Sequence, residues 1–291
     1  MTRLVKTLIQ GTGVLIGFFT WYSALSAAPV SFYFRTPGES LPPQSEFEAV
    51  VMVDSAVPLN AYNLVLTYSP DALDVVYFDN SRSIIDIWQS QPLTYQNGEI
   101  KFAGGSFKAF QGQRGELMTI RFKTLREGPA MLGVKTAEAY IADGKGTKAE
   151  SVSLDFALTI REGAPFVRTP KPEDNTPPQI NALSFAEDPF NPEQRLLSFL
   201  VKDNESGVKQ TLVRYRTWLT WSDWQPVQNP AAIPRNAWSV SFRVSDNFEN
   251  QTAQIFYYWP ALFKNLSPVI LIIALVIVLL GIRKKRQPVA P

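Results

Sequence analysis

The chain has 291 residues, carries 28 Lys+Arg against 26 Asp+Glu, and contains neither histidine nor cysteine. These two zeros exclude disulfides, Cys/His zinc sites, cysteine nucleophiles and every Ser-His-Asp mechanism. The balanced charge argues against a chain-wide nucleic-acid surface, which would show a basic excess.

In chain order, residues 1–28 read as a signal peptide. Arg3 and Lys6 supply the positive start, residues 14–22 the apolar segment, and Ser23-Ala24-Leu25-Ser26-Ala27-Ala28 the small residues of a cleavage region. An uncleaved N-terminal anchor is the alternative. From residue 29 to about 161 the pattern changes to short alternating runs. Ser31-Phe32-Tyr33-Phe34-Arg35, residues 47–53, 61–68, 73–78, 99–103, 117–123, 130–135 and 152–160 each read as strands. Ser69-Pro70-Asp71, Asn97-Gly98, Gly104-Gly105 and Asp143-Gly144 read as the turns between them. So many strands in about 130 residues predict a β-sandwich or jelly roll.

Residues 162–179 hold Pro165, Pro170, Pro172, Pro177 and Pro178 and predict an extended, semi-rigid linker. A second strand-rich unit spans 180–258, with runs at 196–202, 208–216, 238–244 and 252–258. Its size suits an immunoglobulin-like sandwich. A transmembrane helix is predicted over 263–282. No charge occurs from Asn265 to Ile282, and 269–280 is wholly apolar. At about 1.5 Å per residue the uncharged stretch is long enough for a hydrocarbon core. Pro268 would sit in the helix's first turn. Tyr257, Tyr258, Trp259 and Phe263 would form an interfacial belt, and Arg283-Lys284-Lys285-Arg286 opens a basic tail (283–291) that favours the cytoplasmic side. The expected arrangement is a single-pass membrane protein with its N-terminal part outside.

The first unit resembles a cohesin module. The resemblance rests on an ordered set of segments. Pro37-Gly38-Glu39 precedes the second strand. Ala61-Tyr62-Asn63-Leu64-Val65-Leu66-Thr67-Tyr68-Ser69-Pro70-Asp71-Ala72-Leu73-Asp74-Val75-Val76 is similar to the cohesin segment with Tyr-Asp-Pro followed by Leu-x-Val. Gly115-Glu116-Leu117-Met118-Thr119-Ile120-Arg121-Phe122-Lys123 is similar to the Gly-x-Leu-x-x-Ile-x-Phe strand. Ser69 stands where the family has Asp. The resemblance implies a jelly-roll fold and non-catalytic recognition through a sheet face, with a dockerin-bearing protein as partner. A surface polysaccharide is the alternative ligand. The second unit resembles the Ig-like or fibronectin-III-like modules of bacterial surface proteins at Asp203-Asn204-Glu205-Ser206-Gly207-Val208 and at residues 238–250, which implies a spacer.

Candidate ligand-binding residues are aromatic. Trp218, Trp221 and Trp224, near Tyr215 and Trp238, could stack on sugar rings, although packing in a sandwich core is the simpler reading of such rings. In the first unit Tyr62, Tyr68, Trp88, Tyr95, Phe107 and Phe110 are candidates for a binding face. Residues 104–112 read as a loop presenting Phe107 and Phe110. Asp203, Glu205, Asp246 and Glu249 have the oxygen chemistry of a structural calcium site, but turn formation accounts for them. Ser206-Gly207-Val208-Lys209 matches Ser-x-x-Lys without its partner motifs. No catalytic residue, metal or cofactor is assigned, and no enzyme activity is expected.

Overall fold

A computed structural model describes residues 30–89, 94–96, 98–165 and 173–285. The predicted signal peptide and the end of the basic tail lie outside the described residues.

Residues 30–160 form one β-sandwich from strands β1 (Val30–Arg35), β2 (Ser40–Leu41), β3 (Glu46–Tyr68), β4 (Leu73–Asp79), β5 (Ile87–Trp88), β6 (Thr94–Gln96), β7 (Glu99–Thr124), β8 (Gly128–Ile141), β9 (Ser151–Ser153) and β10 (Phe156–Ile160). The long strands β3 and β7 serve both layers. The first part of β3 pairs with β1 and with the end of β7, from Glu46↔Lys123 to Val53↔Gly115. Past bulges near Ser55 and Leu59, its second part pairs with the start of β7 and with β8. One layer is therefore β9-β1-β3-β7-β4, and the other is β5 and β6 on β7, then β3-β8-β10-β2. Between them lie the inward members of the alternating runs: Phe32, Phe47, Tyr62, Leu64, Leu66, Phe102, Ile120 and Phe122.

Residues 104–112, expected as a loop, are instead part of β7. Gly104 and Gly105 make no turn; they pair with Trp88 and Ile87. A Cβ on Gly104 would lie 2.5 Å from the Ile87 carbonyl oxygen, so glycine is required there for close approach of two backbones.

The second sandwich is built from β11 (Gln179–Glu187), β12 (Gln194–Lys202), β13 (Val208–Arg216), β14 (Gln225–Pro226), β15 (Ala231–Pro234), β16 (Ser239–Asp246) and β17 (Gln251–Tyr257). Sheet β11-β12-β15 packs on sheet β14-β13-β16-β17. Leu197, Phe199, Ile233, Val213, Val240 and Phe242 meet between the sheets, with the Phe199 and Phe242 ring centroids 4.8 Å apart.

The last element is helix α1 (Trp259–Lys285). Its stretch Trp259–Leu280, with a mean hydropathy of 2.5 over an 18-residue window, is long and apolar enough to cross a membrane. The helix starts four residues before the predicted 263, so Pro268 lies in its interior and not in the first turn. A proline there cannot donate to the carbonyl four residues back. The Ser267 hydroxyl donates to that Lys264 carbonyl at 2.8 Å instead, the kind of substitution that lets proline persist in apolar helices.

Candidate functional site

The outer face of the β7-β3-β8 layer is charged. Alternation turns Tyr62, Leu64 and Leu66 inward and leaves Asn63, Val65 and Thr67 facing out. Strand register then sets Ala103, Lys101 and Glu99 of β7 on one side of these residues, and Glu138 and Thr136 of β8 on the other. Lys135 contacts Glu99 at 2.5 Å, and Lys101 contacts it at 3.4 Å. Glu138 is held by Lys148 at 2.8 Å and by the Asn63 amide at 3.0 Å. Hydrogen bonding to Lys135 lowers the Glu99 carboxyl below its ordinary pKa, and Lys148 does the same for Glu138. Both carboxylates therefore stay ionised, and the face keeps a fixed pattern of charge around Val65. Exposed pairs of this kind add little stability, but such patterns set orientation and partner choice at interfaces. Sequence reasoning missed these residues because single charges on alternating strands look like ordinary solvated positions.

The aromatic candidates of the first sandwich are dispersed. Tyr62 and Trp88 are buried, and Tyr68 packs on Phe122 with ring centroids 5.5 Å apart. Phe110 is half-buried against the core and lies over Gly115. The Tyr95 side chain is outside the described residues. Phe107 is 69% exposed and its N–H donates to Asp86 at 3.0 Å. It lines a cleft between the two sandwiches, opposite Asn181, Leu200 and Val208.

The tryptophans do not pack in the core of the second sandwich, contrary to the simpler reading. Register puts Arg214 and Arg216 of β13 on the outer face with Arg243 of β16, while Val213, Tyr215 and Phe242 point in. The 217–224 segment folds back over that face. Trp221 has Arg216 and Arg214 at 4.2 and 4.7 Å from its ring centroid. Trp224 has Arg243 and Arg214 at 3.9 and 4.5 Å. Cation–π attraction therefore holds the ladder Arg216-Trp221-Arg214-Trp224-Arg243 together, and it occupies ring surface on which a sugar would stack. Trp218 stands apart from the ladder, 46% exposed, its carbonyl accepting the Trp238 indole N–H at 2.7 Å. Nearby, the Asn265 amide of α1 donates to the Thr217 and Asn236 carbonyls at 2.7 and 2.9 Å. Trp218 and Leu219 thus sit beside the base of α1. Phe107 is at the other end of the second sandwich, beyond the start of β13, so the two groups of candidates form no common site.

The sandwiches touch directly. Val208 N–H donates to the Asn80 side chain at 2.9 Å, Asn247 donates to the Phe78 carbonyl at 2.6 Å, and Asn229 N–H donates to the Gln89 carbonyl at 2.8 Å. Gly207 has φ +80°, and a Cβ there would meet the Asn80 nitrogen at 2.6 Å. The described end of the predicted linker is also fastened, with Thr252 donating to the Pro178 carbonyl at 2.5 Å. Of the four acidic residues with calcium-type chemistry, the structure brings only Asp203 and Asp246 into one cluster, and adds Asp174 from the linker.

No protein-family model matches the chain, and no curated protein is similar to it in sequence. Solved structures similar to it include cohesin modules. A non-cellulosomal cohesin from the archaeon Archaeoglobus fulgidus is 17% identical, with 47% of this chain and 94% of that chain covered and a TM-score of 0.39. The cohesin module of a Clostridium perfringens family 33 glycoside hydrolase is 12% identical, with 45% and 96% covered and a TM-score of 0.39. The sixth cohesin of Acetivibrio cellulolyticus scaffoldin B, solved in complex with a dockerin, is 13% identical, with 46% and 99% covered and a TM-score of 0.39.

Proposed function

We propose that this protein is a membrane-anchored recognition protein that binds another protein through the outer face of the β7-β3-β8 layer. The observation that carries the reading is the clustering of ion-paired Glu99, Lys101, Lys135, Glu138 and Lys148 around the outward Val65. A rigid strand face costs little ordering on binding, and fixed charges of both signs select a complementary partner. The cohesin resemblance of residues 30–160 makes dockerin-bearing proteins the first partners to test. The apolar helix α1 would hold the sandwiches at a bilayer. Asn265, four residues before the wholly apolar stretch, donates to the carbonyl of Thr217, and the indole of the adjoining Trp218 would suit the membrane–water interface. In this reading Trp218 serves the anchor and not a glycan.

Full-length protein in detergent micelles, immobilised by its C-terminus, provides the test against a panel of dockerin-bearing proteins and against insoluble polysaccharides. We expect retention of a protein partner, and a loss of at least about tenfold, or 1.4 kcal/mol, for Val65→Glu. Lys101 lies directly opposite Val65, so the new carboxylate has a cross-strand cation and the fold tolerates it. Equal binding by Val65→Glu, or retention of polysaccharide alone, would contradict the proposal.

A further inference from the structure

We propose that Asp174, Asp203 and Asp246 form a calcium site that locks the joint between the two sandwiches. The three side chains are 4%, 4% and 0% exposed. One carboxylate oxygen from each lies within 4.8 Å of the other two. Ligands at about 2.4 Å from a common ion fall within such a span, and calcium takes carboxylate and carbonyl oxygens at about that distance.

Two of the carboxylates are well supplied with donors. Asp203 Oδ1 accepts the N–H groups of Glu205, Ser206 and Gly207 at 3.0, 2.8 and 2.9 Å. Asp246 Oδ1 accepts those of Phe248 and Asn250 at 2.8 and 2.9 Å, and its Oδ2 accepts the Asn250 amide at 2.8 Å. These bonds belong to turns and would be present with or without an ion. Asp174 is different. Its Oδ1 accepts Thr176 N–H at 2.8 Å, but its Oδ2 is buried without any hydrogen-bond partner. An ionised oxygen in that state is costly unless a cation meets it. Among the described residues no Lys or Arg forms an ion pair with any of the three aspartates. Three acidic groups thus converge in a buried place, with one lone pair set aimed at no protein donor. A divalent cation supplies the missing charge and the missing contact together.

The location gives the ion a mechanical role. Asp174 lies on the segment entering the second sandwich. Asp203 opens the turn ending at Gly207, whose neighbour Val208 bonds Asn80 of the first sandwich. Asp246 precedes Asn247, which bonds the Phe78 carbonyl. One ion would therefore tie the connecting segment to two of the segments that bond the first sandwich, the third being the loop at Asn229.

Full-length protein in detergent, stripped with EGTA, is titrated calorimetrically with CaCl2 and separately with MgCl2, and its thermal unfolding is followed with and without each ion. We expect one Ca2+ per chain and a rise in Tm of several degrees in calcium. Asp174→Asn retains the Thr176 bond but should weaken calcium binding at least tenfold. In EGTA the same variant should melt no lower than the parent protein, because a buried like charge has been removed. Absence of calcium binding and of any calcium effect on the parent Tm would overturn the proposal even if the variant failed to fold. A response to Mg2+ alone would overturn the assignment to calcium, and a variant that bound calcium as well as the parent would overturn the role of Asp174.

Discussion

Phe122→Ala is expected to destabilise the first sandwich by about 3–5 kcal/mol, the range for truncating a buried phenylalanine. Phe122 is 1% exposed. It lies directly opposite Phe47 on one side and Val75 on the other, and its ring centroid is 5.7 Å from that of Phe47 and 5.5 Å from that of Tyr68. The alanine would leave a void where β3, β4 and β7 meet, and all three neighbours are held by strand pairing and cannot collapse into it. A loss of this size is a large share of the stability of an ordinary domain, about 5–15 kcal/mol. Amide exchange in β3 of the full-length protein, followed as a function of urea, reads the effect on this sandwich alone. The opening free energy for β3 should fall by that amount while that for β16 stays within about 0.5 kcal/mol, since distant sites add independently. A loss below about 1 kcal/mol would mean that the two layers do not pack through this ring.

If α1 is a membrane anchor, two arginines are needed to defeat it, and one is not enough. Summed over residues 269–280, apolar side chains favour insertion by about 3–7 kcal/mol, and each central arginine opposes it by about 2.5–3.5 kcal/mol. Leu275→Arg alone therefore leaves the balance near or below zero, whereas Leu275→Arg with Val276→Arg reverses it. Membranes washed at alkaline pH should retain the parent protein and release most of the double variant. Retention of the double variant would show that α1 is not what holds the chain at the bilayer. The helix itself supports the premise: beyond its base, the apolar residues 269–280 are exposed, Leu271, Leu275 and Ile277 among them, which water would disfavour along such a length.

Strand content was legible in the sequence because alternation is a local property. Met118, Ile120 and Phe122 do line the interior, as their spacing requires. The continuity of β3 and β7 was not legible, because it depends on partners far along the chain. Gly104-Gly105 has the composition of a turn, and only the approach of Ile87 and Trp88 makes it a strand. The tryptophan spacing likewise contained no sign of Arg214, Arg216 and Arg243, which reach the rings only once β13 pairs with β16. Arg121 shows the same limit. It sits at an outward position of β7, yet it is 2% exposed because Glu46, Glu48 and Tyr77 on neighbouring strands close over it. For the acidic cluster, turn chemistry at Asp203 and Asp246 was readable, but Asp174 lay in a proline-rich segment whose fastening to the second sandwich no local pattern encodes.

The most direct measurement of the recognition face is site-specific photo-crosslinking in the full-length protein. A photoreactive residue replaces Asn63, on the outer face of the β7-β3-β8 layer, or Val152, on the opposite layer. The account predicts that a captured partner crosslinks to position 63 and not to position 152. Crosslinking at 152 with none at 63 would contradict it.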